Sequence, residues 1–164
     1  MKSFLLSFFL IFLFLTSINS QENSIVIDIE YLVENSNKGK SIQKEISSKR
    51  EKNSKKFQGI EKDLKEKEKK LVSKKSILSE KDFNDELKKF QSEVKAYNEK
   101  KQNEVNKLRK FRNESLAKLV AEINSIILDY SKKNNIFMAL DKKYVVLVKK
   151  ENDITQKILE ILNK

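Results

Sequence analysis

Residues 83–97 read FNDELKKFQSEVKAY, and apolar or aromatic side chains recur in this stretch at alternating steps of four and three. This spacing places one apolar stripe along a helix and is typical of a coiled-coil seam. The helical pattern extends with few breaks from residue 38 to residue 133, in a chain that has no Pro and two Gly. A single helix of that length would span roughly 140 Å at 1.5 Å per residue.

The heptad phase slips once, at residues 73–79, which read SKKSILS. At the end of this break, Ser79 followed by Asp82 is typical of a helix N-cap with an acid at the third helical position. The slip therefore predicts two helices of roughly 40 to 50 residues that fold back as one antiparallel hairpin.

Polar side chains occupy several seam positions of the first predicted helix, which lowers stability but sets the register. We expect this helix to be loosely held, most of all towards the tip of the hairpin. In the second helix, a wider apolar face between Leu116 and Tyr130 predicts packing inside a core. The seam positions are Ile46, Arg50, Asn53, Phe57, Ile60, Leu64, Lys67 and Leu71, then Phe83, Leu87, Phe90, Val94, Tyr97, Lys101, Val105 and Leu108.

Positive charge is concentrated in the predicted hairpin. Residues 38–112 contain 25 Lys and Arg against 13 Asp and Glu, a balance of +12, whereas the other positions contain 10 against 11. Because charge repulsion costs stability, this excess favours an anionic partner or a role in solubility. A solvated, salt-bridged coiled-coil surface is the alternative interpretation. The hairpin has little Arg, and no compact basic cluster stands out in the sequence.

The composition argues against an enzyme and predicts no cofactor. The chain has no Cys and no His, so it lacks a thiol nucleophile, disulfides and the commonest general base and metal ligand. Neither of the common phosphate-binding glycine motifs is present. The Asp and Glu residues are scattered among Lys at helical-surface positions, where solvated ion pairs are expected.

The first twenty residues have the order of a secretory signal peptide. Lys2 supplies the positive end, residues 4–15 form an apolar run interrupted only by Ser7, and a short polar segment ends at Ser20. We predict cleavage after Ser20 and location in the periplasm. An uncleaved membrane anchor is the alternative, although the apolar run is short for a membrane span.

The two ends of the chain predict a small base for the hairpin. Residues 24–29 read SIVIDI, a short run rich in β-branched apolar residues, and predict a first strand, followed by a bend between Asn35 and Gly39. Asn134 and Asn135 end the hairpin in a left-handed cap, residues 136–140 predict a second strand, and residues 144–148 predict a third that forms a hairpin with the second. Asp153 with Gln156 predicts the cap of a final helix.

The predicted fold class is therefore α+β, mostly α, with a long antiparallel helical hairpin that projects from a small β-rich oligomerisation body. The expected units are a signal peptide at 1–20, the first part of the body at 21–37, the hairpin arm at 38–133, and the second part of the body at 134–164, with two strands and the C-terminal helix.

The body is too small to fold easily as a monomer. Units near 40 residues usually need disulfides, metals or oligomerisation, and Cys and His are absent. We therefore expect oligomerisation through the strands, which would also cover the sheet edges. The predicted oligomer residues are Ile25, Val26, Ile27, Ile29, Met138, Leu140, Val145, Val146, Leu147 and Val148.

Short segments in the body carry a resemblance to a known family. They are Ile25-Val26-Ile27-Asp28, Gly39-Lys40, Phe137-Met138-Ala139-Leu140-Asp141, Tyr144-Val145-Val146-Leu147 and Asp153-Ile154-Thr155. In this order, around a basic helical hairpin, they resemble the Skp/OmpH family of periplasmic chaperones. The resemblance implies a homotrimer whose helical arms surround a cavity. It also implies an ATP-independent holdase that binds unfolded outer-membrane proteins there and prevents their aggregation.

Residues near the arm tip are the predicted client-binding site. Some lie off the clean seam and others carry charge, although simple packing of the turn would also explain the apolar ones. The positive arms also suggest contact with an anionic membrane surface. The predicted client-binding residues are Lys69, Lys70, Val72, Lys74, Lys75, Ile77 and Leu78.

Two other functions remain open from the residues alone. An exported basic coiled coil could be a structural spacer of the envelope. Lys-rich helices also neutralise nucleic-acid phosphates, with a strong dependence on salt. The predicted export and the lack of exposed aromatic residues for base stacking argue against this, so no nucleic-acid partner is expected.

Overall fold

The computed structural model describes residues 23–164, and the predicted signal peptide with its cleavage site lies outside them. The described part is mostly helical with one two-stranded sheet, which confirms the predicted α+β, mostly α class. No helix in residues 23–164 is both long and apolar enough to cross a membrane. The elements are β1 (Asn23–Ile27), α1 (Ile29–Asn35), α2 (Asn37–Lys74), α3 (Glu80–Lys133), β2 (Ile136–Asp141) and α4 (Thr155–Leu162), with 3-10 turns at Lys142–Tyr144 and Lys150–Asn152.

Helices α2 and α3 form the predicted antiparallel hairpin, and α3 begins and ends where its capping residues predicted. Ser79 Oγ accepts a hydrogen bond from the Asp82 backbone N–H at 3.2 Å and donates to Asp82 Oδ2 at 2.6 Å. At the other end of α3, Asn135 adopts a left-handed conformation with φ of 51°, which ends the helix. We call the paired parts of α2 and α3 the arm.

The start of α2 is set by a close approach to α1. Ser36 ends α1 and caps α2, because its Oγ accepts a hydrogen bond from the Gly39 N–H at 3.0 Å. A Cβ atom on Gly39 would lie 1.7 Å from the carbonyl oxygen of Val33. Only glycine fits this position without movement of the backbone, so the predicted bend is confirmed and has a steric cause.

A single apolar core holds the body together. It joins β1, α1, α4 and the base of α3, whose wide apolar face enters the core as predicted. Three of its side chains, Leu32, Ile123 and Ile158, have no exposed surface. The buried members are Ile25, Ile27, Leu32, Leu119, Ile123, Ile154, Ile158 and Leu162.

The two strands pair in parallel, with Ile25 opposite Ala139 and Val26 opposite Leu140. Parallel neighbours require a long crossover connection, and the whole hairpin supplies it. On its other side, β1 accepts one hydrogen bond at the Val26 carbonyl from the Ile154 N–H, at 3.1 Å. Strand β1 is therefore the central strand of the body, and β2 is an edge.

The predicted third strand and its hairpin with β2 are wrong for the single chain. After β2 the backbone enters a 3-10 turn, in which Asp141 Oδ1 accepts from the Lys143 N–H at 3.2 Å. After this turn, residues 145–149 form no regular structure. The Asp-Lys-Lys sequence lacks the Gly or Asn that a tight hairpin turn favours, and the apolar composition of residues 144–148 does not by itself produce a strand.

The C-terminal helix begins at Thr155, and its predicted cap is only partly correct. Asp153 Oδ1 accepts hydrogen bonds from the Thr155 N–H at 3.1 Å and the Thr155 Oγ1–H at 2.6 Å, whereas Gln156 takes no part. Thr155 Oγ1 in turn accepts from the Asp28 N–H at 2.9 Å. Burial acts to raise the pKa of Asp153, but hydrogen bonds from Lys142 and Thr155 outweigh it and lower the pKa.

Candidate functional site

Four ion pairs join α2 to α3 along the arm. Lys67 Nζ lies 2.7 Å from Glu93 Oε2, Lys74 Nζ lies 2.8 Å from Glu86 Oε1, and Lys38 pairs with Glu122 near the body. The fourth pair joins Glu61 and Lys101 at 2.7 Å. All are exposed, so each contributes little to stability. Together they favour one register of the two helices.

The outer half of the arm is better packed than the sequence suggested. Phe57 and Leu71 are buried, and the Phe57 and Tyr97 rings meet edge to face with centroids 5.9 Å apart. Such a pair adds about 0.5–1.5 kcal/mol beyond the area it buries. These contacts pack the outer half of the seam more closely than its polar positions predicted, whereas Val72 and Ile77 at the tip itself are exposed.

The seam opens instead in the middle of the arm. Arg50 and Asn53 on α2 and Lys101 on α3 are polar seam residues that do not fill the space between the helices, and Val105 remains 52% exposed. The resulting mid-arm cavity has a volume of about 580 Å³. Its lining comprises Ile46, Arg50, Asn53, Ser54, Phe57, Gln58, Glu61, Lys101, Val105, Leu108, Arg109 and Arg112.

All three Arg residues of the chain line this cavity, and we call them the arginine trio: Arg50, Arg109 and Arg112. None of the three has a carboxylate within 4 Å in residues 23–164; Arg109 donates to Asn106 Oδ1 at 2.7 Å. The cluster was not predicted, because about sixty residues separate Arg50 from Arg109 and Arg112. Its signal was present, since Arg50 is a seam residue that faces the second helix.

A polar cluster closes the tip side of the cavity. The Tyr97 hydroxyl donates to Glu61 Oε1, and Lys101 Nζ donates to the same carboxylate at 2.7 Å and to the Tyr97 oxygen at 2.9 Å. The hydrogen bond from Lys101, with that from Tyr97, lowers the pKa of Glu61. The same bond to Glu61 raises the pKa of Lys101. Both groups are therefore charged at neutral pH, and they neutralise each other.

The predicted client-binding residues lie together around the tip. Ile77 is 80% exposed and Val72 is 66% exposed, whereas Leu78 is half-buried against the turn. Lys74 is held by both oxygens of Glu86 and is less free than its position suggested. Lys69, Lys70 and Lys75 are exposed and have no carboxylate within 4 Å in the described part of the chain.

The predicted oligomer residues fall into three groups. Ile25, Val26 and Ile27 are buried within the chain itself, so their burial needs no partner. Ile29, Val145 and Val148 are half-buried. Met138, Leu140, Val146 and Leu147 are exposed. Together with two further exposed aromatic residues, they form a surface along β2 and the irregular segment after it that we call the apolar strip: Phe137, Met138, Leu140, Tyr144, Val146 and Leu147.

The fold and these surfaces define a class of protein in which a long basic helical arm projects from a small α+β body with an exposed apolar strip. The chain belongs to the OmpH-like outer membrane protein family, whose profile matches residues 23–162. The fold resembles the crystal structure of a candidate outer membrane chaperone (OmpH-like) from Caulobacter crescentus CB15, with a TM-score of 0.79 and 18% sequence identity. That match covers 86% of this chain and 83% of the other. No curated protein sequence matches the chain.

Proposed function

We propose that this protein is an ATP-independent holdase chaperone of the periplasm, which binds unfolded outer-membrane proteins and prevents their aggregation. The observation that carries the proposal is the arm itself, a two-helix projection with an excess of positive charge, on a chain of the OmpH-like family. Such an arm reaches unfolded chains before they collapse, and its charge attracts their acidic segments.

A homotrimer is part of the proposal, and the apolar strip supports it. The outer edge of β2 has no strand beside it in residues 23–164, and Val146 and Leu147, in the segment that follows β2, are fully exposed. Exposed apolar strand edges favour pairing with another chain. Three chains joined by these strips would place three arms around one cavity, in which an unfolded protein is held.

The direct test is suppression of aggregation. An outer-membrane barrel protein is unfolded in urea and diluted into buffer with the purified mature protein, with and without ATP, while light scattering is recorded. We expect scattering to fall with chaperone concentration and ATP to have no effect. Scattering that is unchanged at a threefold molar excess of trimer contradicts the holdase function.

Stopped-flow association over a salt series tests the role of charge. The Debye length falls from roughly 10 Å at 0.1 M to about 3 Å at 1 M salt, so association should slow while binding persists through apolar contacts. Reversing charge at Lys69, Lys70 and Lys75 should slow association more than it speeds release. Lys74 is left unchanged, because its reversal would also break the pair with Glu86. Association rates that change neither with salt nor with charge reversal at these three Lys residues contradict electrostatic capture.

Sedimentation of two variants tests the trimer. Val146→Asp places a charge in the apolar strip, so we expect a folded monomer with native helix content. Ile27→Asp places a charge in the core of the chain itself, so we expect loss of the body fold at a cost of several kcal/mol. A parent protein that sediments as a monomer at micromolar concentration contradicts the trimer.

A further inference from the structure

The mid-arm cavity has a composition that differs from the rest of the arm. The arm surface is dominated by Lys, yet every Arg in the chain lies at this cavity. Arg50 comes from α2, whereas Arg109 and Arg112 come from α3, so the positive groups stand on both walls. Between them, Ile46, Phe57, Val105 and Leu108 supply an apolar lining.

The charges in this cavity are not balanced within the chain. One carboxylate, that of Glu61, lines it, and Lys101 already neutralises that group at 2.7 Å. The arginine trio therefore retains about three uncompensated positive charges, by formal count of the lining residues. Guanidinium groups match carboxylates through paired, parallel hydrogen bonds, which an ammonium group cannot make.

The geometry limits the size of an occupant. A volume of about 580 Å³ lies within the usual range for a small-ligand pocket, roughly 300–1,000 Å³. The cavity is bounded at the tip side by the Phe57 and Tyr97 rings, whose centroids are 5.9 Å apart. A few residues of an extended peptide fit such a space, with apolar side chains between the helices and carboxylates at the arginine rim.

We propose that the mid-arm cavity is a peptide-binding site for short acidic segments of unfolded protein, in which a carboxylate lies next to an aromatic or aliphatic side chain. This proposal rests on the holdase function and names the client segments that the arm selects. The carboxylate pairs with the arginine trio, and the neighbouring side chain packs against Val105, Leu108 and Phe57. The exposed Val105 is thereby covered in the complex.

The test measures binding of labelled peptides to the full mature protein by fluorescence anisotropy. The probe is the acetylated, amidated hexapeptide Ala-Glu-Phe-Asp-Phe-Ala. One control peptide replaces both acids by their amides, and another replaces both Phe residues by Ser. We expect the probe to bind at least tenfold more tightly than either control, because each control lacks one half of the recognition.

A charge-conserving variant separates the site from general electrostatics. The triple variant R50K/R109K/R112K keeps the net charge but removes the planar guanidinium groups. We expect its affinity for the probe to fall at least fivefold. A matched control, K62R/K88R/K95R, changes Lys to Arg at exposed arm positions outside the cavity and the tip, and should not reproduce the loss. Equal affinity of the parent and the R50K/R109K/R112K variant overturns the proposal.

A second variant tests the apolar half of the site without a change of charge. Val105→Trp fills the cavity from an exposed position, so the helices need not move. We expect the same loss of probe binding, with native helix content by circular dichroism. If Val105→Trp binds the probe as the parent does, the peptide does not enter the cavity and the proposal fails.

Binding to lipid vesicles tests whether the arginine trio recognises a lipid headgroup instead of a peptide. If the R50K/R109K/R112K variant loses binding to phosphatidylglycerol vesicles but keeps the probe, the arginine trio serves a lipid headgroup and the peptide site is refuted. Aggregation suppression by the parent is measured in parallel. If the parent suppresses aggregation but the R50K/R109K/R112K variant binds the probe as tightly as the parent, this inference alone is refuted. If the R50K/R109K/R112K variant loses probe binding but the parent fails to suppress aggregation, the holdase function is refuted instead.

Discussion

Helix α3 passes through two regions, the body and the arm, in which similar apolar side chains differ in solvent exposure. At the body, Ile123 has no exposed surface because α1, α4 and the strands surround it. Eighteen residues earlier, Val105 is 52% exposed, because only α2 lies beside the helix there. Burial in this protein therefore depends on the number of elements that meet, and a two-helix arm cannot seal its own seam.

The largest expected effect contrasts these two positions. Ile123→Ala should lower the free energy of unfolding by about 3 kcal/mol, since it leaves a cavity in a closed core. Val105→Ala should lower it by less than about 0.5 kcal/mol, because the side chain is already in contact with water. Urea unfolding followed by circular dichroism at one fixed protein concentration measures both. Similar midpoints for the two variants would remove the contrast between body and arm.

The outer half of the arm should respond at an intermediate level. Phe57→Ala removes a buried ring and its edge-to-face partner, so the opening free energy of residues 57–71 and 83–97 should fall by about 2 kcal/mol. Hydrogen exchange of the amides in those ranges measures the change, with exposed Val72→Ala as the control. Exchange that speeds up equally in both variants would show that the outer seam is no better packed than the surface.

A larger apolar side chain in the middle of the seam should stabilise the arm, in contrast to the preceding substitutions. Asn53 lines the mid-arm cavity and a second one, of about 340 Å³, on the other side of the seam. Asn53→Leu should therefore stabilise the arm by about 1 kcal/mol. Gln43→Leu, at an exposed position on the same helix, controls for helix propensity. The prediction fails if hydrogen exchange slows no more in Asn53→Leu than in this control.

The smallest expected effect is the pH dependence of the polar cluster. Because the pKa of Glu61 is lower in the arm than its ordinary value of 4.5, its stabilising contribution is present above that pH and is lost as pH falls below it. Hydrogen exchange around residues 57–61 and 97–101, corrected for intrinsic rates, should speed up between pH 6 and pH 3. Glu61→Gln should remove most of this change. A change of equal size in that variant would assign it to other carboxylates.

The sequence predicted those parts of the fold that depend on local signals. The Ser79 cap, the left-handed Asn135 and the apolar face of α3 are local patterns, and all three are present. The prediction of a third strand was wrong. The β-branched composition of residues 144–148 shows that they prefer an extended backbone, but it does not specify the strand with which they pair. After β2 the backbone enters a 3-10 turn, whose geometry depends on contacts such as Lys142 with Asp153.

The arrangement of the candidate sites was less predictable. The tip residues are consecutive in the chain, so their proximity follows from the turn. The arginine trio comes from both helices, and only the register of α2 against α3 brings it together. That register depends on seam packing and on ion pairs across the arm, such as Lys67 with Glu93, which periodicity alone does not specify.

The missing side chain at Gly39 sets a direction for the whole arm. Helix α2 is 38 residues long, so its far end lies about 57 Å from its start. Over that length, each degree of tilt at the base displaces the tip by about 1 Å. A methyl group on Gly39 must push the Val33 carbonyl aside, and even a small rotation there becomes a large sweep at the tip. The backbone contact between Gly39 and Val33 therefore acts as the pivot of the arm, and the position of the tip is set at a residue that has no side chain.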